Sequence, residues 1–118
     1  MITSHKSRGN IAEQKASSFL QAQGLRLKAH NFYCRYGEID LIMEDNKEIV
    51  FVEVRMRSKT HFGDALESID HHKQRKLIKS AIFYLQSEKL IDKVNCRFDV
   101  IGFSNSHIDW IKDAFSYE

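Results

Sequence analysis

Proline is absent from the 118 residues and glycine occurs only five times. No Pro- or Gly-rich stretch therefore divides the chain, and its length suits one domain spanning 1–118. Long apolar runs are missing too. None approaches the ~20 residues of a membrane-spanning helix, so no membrane partner is expected. The segment Met1 to Arg8 is polar and lacks the apolar stretch of a secretory signal, which leads to the expectation of a cytoplasmic protein. Cysteine is scarce: Cys34 and Cys96 allow at most one disulfide and, with no export signal, read as reduced core thiols. Four Cys/His ligands at zinc spacing are absent, so no structural zinc site is expected. Charge of one sign is also lacking. A net +2 permits a nucleic-acid partner without requiring one, so the placement of the charges must decide.

What is present is core material: 42% hydrophobic and 11% aromatic residues, enough to exclude a disordered chain or a staple-dependent miniprotein. Ala12, Ala16, Phe19 and Leu20 recur at helical spacing within Gly9 to Gln23, and Gly24 follows as a C-cap. Leu25 to Tyr36 reads as a strand. Ile39 to Glu44 and Glu48 to Arg57 are the clearest strands, joined through Asp45-Asn46-Lys47 as a hairpin. The run Ile49-Val50-Phe51-Val52 is apolar on both faces, which places its strand centrally, covered on both sides. Ser58 to Ser68 reads as a loop with a helical turn near Ala65-Leu66. Asp70 suits the N-cap of a helix from His71 to Ser87, whose buried stripe is Leu77, Ile78, Ala81, Ile82 and Leu85. Cys96 to Ser104 and Ile108 to Ile111 read as two more strands, and Ala114 to Glu118 as a tail. The order is helix, three strands, helix, two strands, an α/β chain.

Alternation along the central strand points Ile49, Phe51, Glu53, Arg55 and Arg57 one way, so that face turns from apolar to charged within a few residues. A carboxylate such as Glu53 in this position is costly unless it is paired or bound to a metal. The hairpin turn decides where Asp40 lies. A two-residue Asn46-Lys47 loop sets Asp45 against Glu48 and Asp40 directly opposite Glu53. An Asp45-Asn46 loop makes Asp40 and Glu53 diagonal neighbours, and a three-residue loop sends Asp40 to the other face. Two of these registers bring together carboxylates that repel unless a cation lies between them, and hard oxygen ligands with open positions suit Mg²⁺ or Mn²⁺. From spacing alone, an ion pair between Asp40 and Arg55 or Arg57 fits equally well. Glu38 reads either as a helper to the metal ligands or, with regular alternation taken to turn it away from Asp40, as an exposed turn carboxylate beside Gly37.

The segments Gly37-Glu38-Ile39-Asp40-Leu41-Ile42, Phe51-Val52-Glu53-Val54-Arg55-Met56-Arg57 and Arg97-Phe98-Asp99-Val100 closely resemble the bacterial YraN-like family of small proteins. Gly9 to Glu13 and Trp110 to Phe115 extend the likeness over nearly the whole chain. That family is grouped with the PD-(D/E)XK nucleases and is similar to Holliday junction resolvases. The resemblance implies a restriction-endonuclease-like fold, a mixed central β-sheet flanked by α-helices. It also implies a metal-dependent endonuclease site acting on DNA, branched structures among the candidates. It puts the motif aspartate at Asp40, the second acid at Glu53, the motif lysine at Arg55, and the extra N-terminal acid of resolvase-type members at Glu13. Asp40, Glu53 and Glu13 would then hold Mg²⁺ or Mn²⁺. Resolvase relatives act as dimers, which makes a homodimer the matching state. Two positions depart from the pattern: Ile39 replaces the motif proline and Arg55 replaces lysine. Arginine stays protonated and cannot serve as a base, but it can stabilise charge on a transition state. A nucleic-acid-binding module without turnover is the alternative this leaves open.

Glu13 also has a purely structural reading, the acid of a capping box that begins at Asn10. Gln74 continues the buried stripe at the first turn of its helix, where it serves either as a helix-end amide or as a group reaching the acidic site. Lys73, Lys76 and Lys79 on that helix, with Arg57 and Lys59, read as a basic rim for phosphates. The adjacent His71 and His72 point about 100° apart on a helix and make no zinc pair.

Overall fold

The computed structural model describes residues 4–57, 64–104 and 107–116, with side chains omitted for 4–9, 57, 64 and 65. Helix α1 (Ser4–Ala22) leads into three antiparallel strands, β1 (Arg26–Cys34), β2 (Gly37–Asp45) and β3 (Glu48–Arg57). A short helix α2 (Asp64–Glu67) and a long one, α3 (His71–Ser87), carry the chain to β4 (Cys96–Ser104), which returns against β5 (His107–Phe115). The sheet runs in chain order, β1-β2-β3-β4-β5. Its one parallel pair is β3–β4, the pair connected through helices, as a parallel crossover requires. This mixed sheet flanked by helices is compatible with a restriction-endonuclease-like fold.

The central strand explains the two layers. Val50 and Val52 join Leu41, Met43 and Ile101 beneath Ala16 and Leu20 of α1. Ile49 and Phe51 join Ile42, Phe98 and Val100 beneath Leu77, Ala81, Tyr84 and Leu85 of α3. Phe51 is the pivot of the second layer, stacked on Phe98 at 5.5 Å and edge-on to Tyr84 at 6.0 Å. Truncating such a side chain typically costs about 3–5 kcal/mol, because the cavity adds to the lost burial.

Helix ends follow their local chemistry. Gly24 takes a φ of +101° and donates to Gln21 O at 3.0 Å, while Leu25 N reaches Leu20 O at 3.1 Å, closing α1 in the left-handed conformation that glycine tolerates. Asp70 caps α3, its carboxylate accepting from Lys73 N at 2.8 Å, and this bond holds its pKa below the ordinary aspartate value.

Three expectations are corrected. Helix α1 begins at Ser4, so Asn10 lies inside it and cannot open a capping box. The last strand does not stop at Ile111; it continues to Phe115, because Phe115 stacks on Phe98 at 4.9 Å and extends the β4 ladder. Cys34 and Cys96 are free, as expected, but half-buried rather than in the core. The proposed loop positions 58–63, with Lys59, lie outside the described residues.

Candidate metal centre

The β2–β3 hairpin adopts the two-residue turn, with Asp45 opposite Glu48 and Asn46 at a φ of +59°. Regular pairing runs as far as Leu41 opposite Val52 and no further. Beyond that point β2 keeps its pairing with β1 down to Gly37, and β3 keeps its pairing with β4 up to Arg57. The sheet therefore splits between its second and third strands, and Asp40 stands in the fork. Its Oδ2 accepts from Val54 N at 2.8 Å, a side-chain bond where the ladder has ended.

Alternation breaks at the same place. Ile39 and Ile42 both pack in the α3-side core, three residues apart, while Leu41 packs under α1. Asp40 therefore does not share one flat face with Glu53, as the simple register implied; it turns toward α1, where a carboxylate oxygen each of Glu13, Glu38 and Asp40 lie within 4.8 Å of one another. Glu38 is corrected as well. Residues two apart on a strand point the same way, so Glu38 sides with Asp40 and not against it. Asn31, opposite Asp40 on β1 at a φ of +52°, ties this group together. With its amide nitrogen turned to the acids it donates to Glu38 at 2.8 Å and Glu13 at 2.7 Å. The Tyr33 hydroxyl also meets Glu38, whose charge raises the phenol's pKa.

Glu53 occupies the other side of the fork, with 7% of its side chain exposed. Its Oε2 faces two cations, Arg55 Nη2 at 3.3 Å and Lys73 Nζ at 3.7 Å. The Asp40 charge acts on both Glu53 and Glu13, and so links the two halves. Burial, followed by the Asp40 charge, pushes the Glu53 pKa up to about 8 against the pull of Lys73 and Arg55. Burial and the charges of Asp40 and Glu38 push Glu13 up to about 7. Both carboxyls thus favour a proton near neutral pH, where a cation could take its place. Among the described residues, the buried side-chain polar atoms without a hydrogen-bond partner are Glu53 Oε1 and Arg55 Nε, which belong to two residues whose other polar atoms meet in an ion pair. Buried polar atoms are rarely left unpaired in a folded protein unless water or an ion completes them. The donor chemistry therefore fits a hard divalent cation: several carboxylate oxygens, mutual repulsion and one orphaned oxygen.

The expected basic rim is only partly assembled around the acids. Lys73 is there, on Glu53. The Lys76 stem crosses the start of β2, where a Cβ on Gly37 would stand 3.7 Å from Lys76 Cε. Lys79 lies farther along, 6.0 Å above the Tyr36 ring, which Arg35 also covers at 5.1 Å. Gln74 donates to Ile69 O at 3.1 Å, so its amide nitrogen serves the entry to α3. The Arg57 side chain lies outside the described residues. Sequence reasoning missed Asn31, Tyr33 and the true side of Glu38. The spacing of Glu38 from Asp40 was a usable signal, and a two-residue Arg35-Tyr36 turn, setting Cys34 against Gly37, would have placed Asn31 opposite Asp40.

Residues 12–103 match the model of a family described as Uncharacterised protein family UPF0102. A UPF0102 protein of Nitrosococcus oceani is 49% identical over 118 residues, covering 97% of this chain and 95% of that protein. One from Psychromonas ingrahamii is 46% identical over 98% of this chain and 94% of its own. One from Francisella tularensis subsp. tularensis is 48% identical over 91% and 92%. The chain belongs to the UPF0102 family, the YraN-like family its motifs resemble.

Proposed function

We propose that this protein is a metal-dependent endonuclease of the PD-(D/E)XK kind acting on DNA, with branched structures as candidate substrates. The observation that carries the reading is the orphaned Glu53 Oε1, buried where the Asp40 charge acts on it and facing the Glu13–Glu38–Asp40 group across the fork. Asp40 and Glu53 are the proposed metal-binding pair, with Glu13 in support and Glu38 added to the set by its position. A bound Mg²⁺ or Mn²⁺ would lower the pKa of a water and offset charge on the scissile phosphate.

The protein's own groups divide the remaining work. Val54 N holds one Asp40 oxygen and so orients the carboxylate toward Glu13 and Glu53. Arg55 holds Glu53 through one guanidinium nitrogen and keeps 28% of its side chain exposed, a protonated group suited to charge that develops on a phosphoryl oxygen. Lys73 adds positive charge on the same oxygen of Glu53. Lys73, Lys76 and Lys79, with Gln74 and Arg57, are the proposed backbone contacts, and they predict salt-dependent binding. A C2 dimer in the cytoplasm would match a substrate with two cleavage points.

Titrating Mn²⁺ calorimetrically into the wild type and Glu53→Gln tests the metal site, and equal heats from the two would remove it. Cleavage of a branched duplex in Mg²⁺, abolished by Asp40→Ala while binding persists, tests the enzyme. Arg55 at the lysine position favours a second reading, a binding module without turnover. DNA binding with no cleavage in either Mg²⁺ or Mn²⁺ would select that reading.

A further inference from the structure

A cleft of about 520 Å³ runs between α1 and β1 and opens beside the acids, since Glu13 and Asn31 line both. That volume lies within the range typical of small-molecule sites, roughly 300–1,000 Å³. Gln14 and Ser18 stand one helical turn apart on one wall, and Leu27 and His30 of β1 form the other. Leu27 is 40% exposed, an apolar surface on the cleft wall. None of the described residues lining the cleft is Lys or Arg, and Glu13 is its charged member. The α3 side of the fork is the reverse, with Lys73 and Arg55 against Glu53. One flank thus suits a phosphate backbone, and the other would repel it.

We propose that this cleft receives an unpaired nucleobase whose own phosphate lies at the Asp40 fork, so that the protein selects single-stranded or flapped nucleic acid over flush duplex. The proposal rests on the nucleic-acid reading above and adds the substrate class. Leu27 and the His30 ring offer faces for stacking. The Gln14 amide and Ser18 hydroxyl offer a donor and acceptors to a base edge. A base still held in a duplex cannot enter, because its edges and faces are already engaged.

The test is fluorescence anisotropy in EDTA, comparing a labelled duplex that carries a single-stranded flap with the same duplex flush-ended. Base stacking at this cleft should make the flapped form bind at least about tenfold tighter. Ser18→Trp, which fills the cleft, and Gln14→Ala, which removes its amide without adding bulk, should each lower the ratio of the two affinities, the first to below about twofold. Equal affinities in the wild type, a ratio that survives Ser18→Trp, or no binding to either DNA would overturn the proposal. A flap preference in EDTA followed by no cleavage once Mg²⁺ or Mn²⁺ is supplied in excess would uphold the cleft and sink the nuclease reading alone.

Discussion

Two buried carboxylates sit on neighbouring strands of the same sheet and are treated in opposite ways. Asp99 of β4 is fully enclosed. It accepts from Arg97 Nε at 3.0 Å, Trp110 Nε1 at 3.0 Å and Asp113 N at 2.9 Å. Arg97 is anchored in turn by Glu48 at 2.9 Å and Asp45 at 3.1 Å. Burial works against the arginine's charge, yet its bonds to Asp99, Glu48 and Asp45 hold its pKa above the ordinary value. Glu53 of β3 is almost as buried, but one oxygen has no partner and the other meets its cations at 3.3 and 3.7 Å. A carboxylate that staples β4 to β5 and to the hairpin is fully hydrogen-bonded. One left incomplete beside other acids keeps capacity for a ligand. The contrast separates a structural acid from a candidate functional one more sharply than burial alone.

Stability should part the two most widely. Asp99→Ala leaves Arg97 Nε, the Trp110 indole N–H and Asp113 N without their acceptor, and chemical denaturation should show a loss of about 3 kcal/mol or more. Glu53→Gln removes a charge that is already unfavourable, so its cost should stay under about 1 kcal/mol or reverse sign. Comparable losses in the two variants would break the comparison.

Metal binding should divide them the other way. Asp40→Ala and Glu53→Gln should each weaken Mn²⁺ at least about tenfold by calorimetry, as loss of a hard ligand does. A variant with Arg97→Lys, which retains the charge beside Asp99, should bind Mn²⁺ as the wild type does.

The pH dependence follows from the raised pKa values of Glu53, about 8, and Glu13, about 7, against an unfolded value of 4.5. The folded state keeps protons that the unfolded chain has already released, so stability falls as pH rises from about 4.5 to about 8. Thermal melts of Glu53→Gln should show a shallower fall. Added Mn²⁺ should raise the wild-type melting temperature more near the upper end of that window, where it no longer competes with protons. A melting temperature that rises across the window would overturn the assignment. On the Asp99 side a smaller effect than that of Asp99→Ala is expected for Trp110→Phe, which removes one donor from Asp99 but keeps a ring against Phe19. About 1 kcal/mol should be lost, on the scale of one hydrogen bond.

Much of this protein is written in local pattern. The doubly apolar Ile49 to Val52 run identifies a central strand, Gly24 and Asp70 mark helix ends, and the short polar turn admits the register that sets Asp40 near Glu53. These follow from rules that act over two to four residues, namely alternation, helical spacing and capping. Local pattern misled where a distant partner intervenes. Phe98 holds Phe115 in a strand that its own neighbours do not announce, and Asn10 resembles a cap only if the helix starts there.

Sequence by itself determined the α/β class, the hairpin and the presence of two acids and an arginine near its open end. Only the tertiary structure decided that the sheet splits at Asp40, that Glu13, Glu38 and Asn31 close on one side of the fork and Lys73 on the other, and that Glu53 is left with an empty oxygen while Asp99 has none. The reason is physical. Alternation assigns a side chain to a face, but whether a buried charge finds its partners depends on where the strands part and which helices reach across, and those distances are set by packing between segments remote in the chain.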